Sequence, residues 1–367
     1  MIGRVFGVPV HINPSVLLLA VLVTVTYGEF IRRQLQLSQF AGYAVGFSFV
    51  VFLLGSVLLH ELGHALTARR YRIGVRGITL ELLGGYTEMD RDTPSPRVEL
   101  LVSLAGPAVS LLLGLLAVAA TYALPDRTLP NQLAFQLAVS NVIVAAFNIL
   151  PGLPLDGGRA LRAAVWAFSR DRHLGTEVAG WVGRGVALGT LVLVAVLTGI
   201  RVLSPFGLAL MLLVSFTLWQ GAGQSVRSAR ISRRFPLIDL QRLARPVFPV
   251  PTGTPLAEAQ RRAVEADRGG DALAVADSSG RLVALVDSAA AEAVPLQRRP
   301  WVSVDTVARG VAGVPAIPVG LGGEQVIRAV QADPGSHYLI TSGENVVGVL
   351  HIADLAQFLE PKRKMRP

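Results

Sequence analysis

The sequence predicts a multi-span α-helical membrane protein, with six transmembrane helices, that continues into a C-terminal α/β domain on the cytoplasmic side. Three observations carry that prediction. Hydrophobic residues fill 51% of the 367 positions and charged residues only 16%, a balance seldom met in soluble globular chains. Long apolar blocks are confined to the region before about residue 223, and the rest of the chain alternates apolar and polar residues as a soluble domain does. Arginines gather at the ends of the apolar blocks.

Six segments reach or approach the length needed to cross about 30 Å of hydrocarbon: 14–30, 42–68, 100–124, 133–150, 180–198 and 206–222. With the N-terminus in the cytoplasm, the inside flanks hold Arg4, then Arg69, Arg70, Arg72, Arg76, Arg91 and Arg97. They continue with Arg159, Arg162, Arg170 and Arg172, and then Arg227, Arg230, Arg233 and Arg234. The outside loops hold only Arg32, Arg33, Arg127 and Arg201, so both termini are expected to be cytoplasmic. The start, MIGRVFGVPVHINPS, lacks a small-residue cleavage site after an apolar core, and no removable signal peptide is expected.

The domain boundaries come from the same texture: a membrane domain over 1–223, a linker over 224–240, two soluble repeats over 241–296 and 297–360, and a basic tail over 361–367. That tail holds the only lysines, Lys362 and Lys364. The net charge of +9 is otherwise arginine placed at span ends, which fits a lipid bilayer as partner and argues against nucleic acid. The absence of cysteine excludes disulfides and thiolate metal sites, leaving His, Asp and Glu as ligands.

Between the second and third spans, YRIGVRGITLELLGGYTEMD is too polar to cross a membrane. Its alternation predicts a strand over 78–83 and a tight turn at Gly84-Gly85. Unpaired strand backbone cannot face lipid, so this segment must pack on protein or line a wet cavity. In the soluble part, 271–286 reads as strand, turn, strand after a helix near 255–266. The order recurs over 337–359 after a helix near 324–332, an internal repeat.

The chemistry lies in the second span, where HELGH places His60, Glu61 and His64. On a helix, positions i and i+4 share a face, so both imidazoles can bind one metal while Glu61 reaches a metal-bound water. Zinc suits neutral imidazole and acidifies bound water to a pKa of about 7, and Glu61 would act as general base. Titratable groups inside a span are costly and mark function.

A catalytic zinc needs a third protein ligand. Asp156, in NILPGLPLDGGRALR at the end of the fourth span, lies three residues before Arg159. His64 lies about 7–8 Å above Arg69 at 1.5 Å per residue, so both sets of groups fall in the cytoplasmic third of the membrane. Asn148, two turns earlier, could bind an extended substrate or a developing oxyanion, with a helix–helix amide contact as the alternative. His11, His173, His337 and His351 read as interfacial, solvated or structural, and Gly185 with Gly189 as helix packing.

HELGH on one span and NILPGLPLDGG on another resemble the paired signatures of the site-2 protease family of intramembrane zinc metalloproteases. The resemblance implies zinc on His60, His64 and Asp156, with Glu61 as the catalytic base. It implies substrate contacts at Asn148, Pro151 and Pro154 and at the Gly84-Gly85 turn, and LAGP (104–107) is similar to the family's third-span entry. Its implied substrates are membrane-anchored signalling proteins, such as anti-sigma factors already trimmed outside, and an extended substrate is expected to pair with the 78–83 strand.

The soluble repeat resembles a pair of cystathionine-β-synthase-type (CBS) domains, known in one branch of that family. Such pairs often bind adenosine nucleotides through G-h-x-[ST]-x-x-D. Here the second copy, Gly348 to Asp354, has His351 in place of Ser or Thr, and the first, Ala284 to Ala290, lacks the Gly and the final Asp. These departures argue against a nucleotide and leave homodimerisation or a structural role. A channel or transporter regulated by such a pair is the alternative from another class. It does not predict two metal motifs at one depth. An inactive adaptor is the other alternative, and it would be expected to have lost Glu61.

Overall fold

The computed structural model describes residues 1–203, 205–343 and 345–360, and the expected basic tail at 361–367 lies outside the described residues. The chain forms two compact units that divide between Ala229 and Arg230.

The first unit opens with a small hairpin, β1 (Gly3–Val5) and β2 (Val8–Ile12), followed by α1 (Ser15–Leu35) and α2 (Gln39–Arg70). A second hairpin, β3 (Val75–Glu81) and β4 (Gly84–Met89), leads to α3 (Pro96–Ala123) and α4 (Leu129–Ile149). Then come α5 (Asp156–Ser169), α6 (Arg172–Gly199) and α7 (Pro205–Ser232). Among the described residues, α1, α2, α3, α4 and α6 are the helices long and apolar enough to cross a membrane. The sixth expected segment lies in α7, which continues to Ser232, so the expected linker over 224–240 begins inside a helix.

Capping explains several helix starts. Ser38 accepts from the Ala41 N–H before α2, and Ser95 accepts from the Val98 N–H where Pro96 opens α3. Thr128 caps α4 in the same way. The sequence predicts no separate α5. Its apolar positions follow a helical period but are diluted by Arg159 and Arg162, so it lacks the continuous run that marks a span.

The four strands form one sheet in the order β1-β2-β3-β4. β2 runs parallel to β3, with Val10 opposite Ile78 and Ile12 opposite Leu80. β3 pairs antiparallel with β4, Glu81 facing Gly84. This corrects the expected turn: the loop is Leu82-Leu83, and Gly84-Gly85 open β4, with Gly84 at a φ of +140° that favours glycine. It also corrects the substrate strand. β3 is hydrogen-bonded on both sides and has no free edge, whereas β4 is the edge of the sheet.

The second unit contains α8 (Leu240–Leu243), β5 (Arg245–Pro251), α9 (Leu256–Glu265), β6 (Ala272–Ala276), β7 (Leu282–Val286) and α10 (Ser288–Ala293). It continues with β8 (Ala308–Gly310), β9 (Ala316–Pro318), α11 (Glu324–Ala332), β10 (His337–Ser342), β11 (Asn345–His351) and α12 (Ile352–Leu359). All seven strands share one sheet, ordered β8-β7-β6-β5-β11-β10-β9. The repeat is explicit. β5-α9-β6-β7-α10 and β9-α11-β10-β11-α12 each make one parallel and one antiparallel pairing, and the halves meet where β11 pairs with β5.

Each half has its own apolar core. Val250, Leu256, Val275 and Val304 fill the first, and Ile317, Val326, Tyr338 and Leu350 the second. The cores displace the expected repeat boundaries. Val304 belongs with the first half although it lies beyond residue 296, and Ile238 and Leu240 pack into the second. Chain order cannot reveal such crossing over, because burial and not adjacency chooses the partner.

Candidate metal centre

His60 and His64 lie one turn apart on α2 and are 5% and 3% exposed. Asp156 reaches them from the first turn of α5. Its Oδ2 is 3.2 Å from His60 Nε2 and 3.1 Å from His64 Nε2, and the two Nε2 atoms are 3.2 Å apart. Residues 92 and 96 positions apart along the chain thus converge on one point.

The outer ring nitrogens fix the direction of these side chains. His64 Nδ1 lies 2.7 Å from the Val102 carbonyl of α3, which can only accept, so Nδ1 carries a proton and the neutral ring would offer Nε2 to a metal. His60 Nδ1 lies 2.8 Å from the Ser110 hydroxyl, also on α3. Such outer hydrogen bonds orient histidine ligands and raise their basicity.

The donor set fits zinc. Two imidazole nitrogens and a carboxylate oxygen crowded together without hydrogen would repel one another, and a cation relieves that repulsion. Zinc bonds of about 2.0–2.1 Å in a tetrahedron set neighbouring ligand atoms roughly 3.3 Å apart, close to the 3.1–3.2 Å seen here. Gly106 of α3 closes the cradle. A Cβ there would run into His64 Nε2 and lie 2.6 Å from His60 Nε2. His60, His64 and Asp156 are the group of metal-ligating side chains found among the described residues.

Glu61, 6% exposed, turns toward the second hairpin. The Thr87 hydroxyl of β4 donates to its Oε2 at 2.7 Å, and Gly85 lies against its side chain. Asp156 is held from behind by ionic contacts within the same fold. Glu99, fully buried at the start of α3, pairs with Arg162 and with Arg159 (3.3 Å), both on α5. Thr93 donates to the same carboxylate, and Arg172 of α6 pairs with Asp92 at 2.6 Å. Gly157 lets α5 start against the end of α4, where a Cβ would meet the Ile149 carbonyl.

The structure therefore brings together His60, Glu61, His64, Asp156 and Gly85. Gly84 opens the same edge strand. Pro154 packs on α7, 2.8 Å from where a Cβ of Gly221 would stand, and Pro151 is exposed. Asn148 is half-buried near the end of α4, and its side chain makes no hydrogen bond among the described residues. His11 pairs opposite Thr79 in the sheet, and His337 packs edge-on against His351 in the second unit. Sequence reasoning missed Ser110, the Val102 carbonyl, Thr87 and Glu99, all supplied by neighbouring elements. The LAGP segment held the one sequence signal for Gly106.

Comparison with known proteins finds relatives by sequence and by structure. The model of peptidase family M50 matches residues 48–140 and 127–192. A relative from Synechocystis sp., named as a zinc metalloprotease, is 31% identical, the alignment covering 98% of this chain and 95% of the relative. A relative from Mycobacterium tuberculosis, named as zinc metalloprotease Rip3, is 30% identical over 100% of this chain and 94% of its own length. Among solved structures, the site-2 protease of Methanocaldococcus jannaschii is 26% identical and covers 61% of this chain and 94% of its own, with a TM-score of 0.44.

Proposed function

The chain belongs to peptidase family M50 and is an intramembrane zinc metalloprotease, and within that activity we propose a role for each residue of the site. His60, His64 and Asp156 hold the zinc. The observation that carries this reading is the convergence of their ligand atoms within 3.2 Å of one another, two of them one turn apart on an apolar helix and the third brought to them by the start of α5. When bound, the ion supplies Lewis-acid polarisation of the scissile carbonyl and acidifies a water.

Glu61 is the general base. Its carboxylate takes a proton from the attacking water and returns it to the leaving amine nitrogen, so the peptide C–N bond breaks with no net loss of the base. A transmembrane helix hides its carbonyls in its own hydrogen bonds, so the substrate must unwind before attack. The unwound segment then pairs with the free edge of β4, entering at Gly84 and Gly85, by strand addition. Asn148, Pro151 and Pro154 flank its path from the end of α4.

The substrates we propose are single-span, membrane-anchored signalling proteins such as anti-sigma factors. We further propose that α7 supplies a sixth span and that both termini are cytoplasmic, on the strength of the arginine asymmetry. The soluble unit is read as a CBS-type pair, supported by its duplicated β-α-β-β-α order. A cavity of about 370 Å³ in that unit is lined by Asp287, Arg309, His337 and His351. An adenosine nucleotide there would have to tolerate His351 in place of a hydroxyl, and the departures from the motif favour a structural or homodimerising role.

Glu61→Gln tests the assignment. The variant is expected to fold, keep its metal and lose cleavage of a single-span reporter by several orders of magnitude. Equal cleavage by both forms would contradict Glu61 as base.

A further inference from the structure

β4 makes a contact that edge pairing alone does not require. Along this strand, Tyr86 and Glu88 are exposed, while Gly85, Thr87 and Met89 alternate onto the more buried face. That face meets α2 at Glu61. The Thr87 hydroxyl lies 2.7 Å from Glu61 Oε2 and 3.1 Å from the Glu61 carbonyl oxygen. A hydroxyl has one hydrogen, and both neighbours are acceptors, so Thr87 is the donor.

The two carboxylate oxygens of Glu61 are thereby distinguished. Oε2 is engaged by Thr87. Oε1 lies beside Gly85, 3.3 Å from where a Cβ would stand, and accepts no hydrogen bond from a described residue. A carboxylate on a flexible stem has several rotamers, and one fixed oxygen selects among them. The selecting group sits two residues from Gly85 on the strand that presents the open sheet edge.

We propose that Thr87 is a positioning residue that holds the Glu61 carboxylate through Oε2, leaves Oε1 for the attacking water, and ties the aim of the base to the strand that receives substrate. The inference rests on Glu61 being the base. It predicts that the hydroxyl acts on turnover and not on substrate or metal affinity. Threonine and serine both satisfy it; valine, which has the same shape without the donor, does not.

The test uses the full chain in detergent with a single-span reporter peptide selected for cleavage by the wild type. Thr87→Val is expected to lower kcat about tenfold to a hundredfold, the usual reach of one hydrogen bond to a charged group. KM and zinc content should stay at wild-type values, and Thr87→Ser should keep kcat within about threefold of wild type. Wild-type kcat in Thr87→Val overturns the proposal. So does an equal loss in Thr87→Ser, or a loss that appears only in KM or in zinc content. Glu61→Gln, measured alongside, separates the two layers. If it cleaves as wild type does, the base assignment fails; if it is inactive while Thr87→Val is fully active, only the positioning role fails.

Discussion

The two units of this chain both bury apolar cores but differ in the polar groups they bury and the apolar ones they expose. In the second unit the buried residues are apolar, with Thr254 the one buried polar side chain among the described residues. In the first, Leu17, Phe47, Leu112 and Leu116 face outward, while His60, Glu61, His64, Glu99, Ser110 and Asn141 are buried. Water sets the pattern of the second unit and lipid that of the first. A polar group inside the membrane unit therefore needs its own explanation, and six of the ten buried among its described residues, His60, Glu61, His64, Thr93, Glu99 and Ser110, belong to the proposed metal centre or its supports. His60, His64 and Glu61 form the proposed centre; Ser110 bonds His60, and Glu99 pairs with arginines of the helix that carries Asp156. Asn141 bonds Ser56 of α2 at 3.1 Å, one turn before His60.

This contrast can be broken from either side. The largest effect is expected at Gly106→Val, which puts atoms where two imidazole nitrogens stand. Zinc measured in the purified protein should fall to background. Retention of zinc would show that the cradle is looser than its geometry.

Next comes Glu99→Ala, which strands Arg162 and Arg159 without their buried partner. Loss of one member of a buried ion pair costs about 3–5 kcal/mol. The thermal midpoint should drop, with zinc loss accompanying it, because α5 is freed. A midpoint equal to wild type would mark Glu99 as dispensable.

In the second unit the expected failure is apolar. Leu350→Ala opens a cavity in a core with no exposed face and should cost about 2–5 kcal/mol. Hydrogen exchange across β10 and β11 should accelerate while zinc stays bound. Zinc loss there would contradict the independence of the two cores.

The smallest effect concerns pH. Burial, followed by the neighbouring His337 and Arg245, holds the His351 imidazole below its usual range, against weaker pulls from Asp354 and Asp287. A depressed histidine favours its neutral form in the fold. Its contribution is therefore complete above the unfolded pKa of about 6.5 and is lost as pH falls below it. The protection factor of the β11 amides, which removes the intrinsic pH dependence of exchange, should fall as pH drops below about 6.5 in wild type and stay flat in His351→Asn. A flat wild-type profile would remove this coupling.

Legibility in the sequence followed the range of each interaction. His60, Glu61 and His64 declare themselves because helical spacing puts both imidazoles on one face. Asp156 needed a depth argument, since its partners lie 92 and 96 residues away. Thr87, Ser110 and the Val102 carbonyl meet their partners across 26, 50 and 38 residues, and no local pattern distinguishes a threonine that bonds Glu61 from any other in a strand. The hairpin was visible as alternation. Its edge was not, because the edge depends on β2 arriving from the N-terminus to cover β3. Likewise the duplication in the second unit was plain, while the exchange of Ile238 and Val304 between its cores was not.

The central claim is that titratable groups sit in the membrane because a metal does. Metal content of the detergent-purified full chain, wild type beside Asp156→Ala, tests it most directly. The account predicts close to one zinc per wild-type chain and its loss in the variant. Zinc retained in Asp156→Ala, or a folded wild type that binds none, would contradict it.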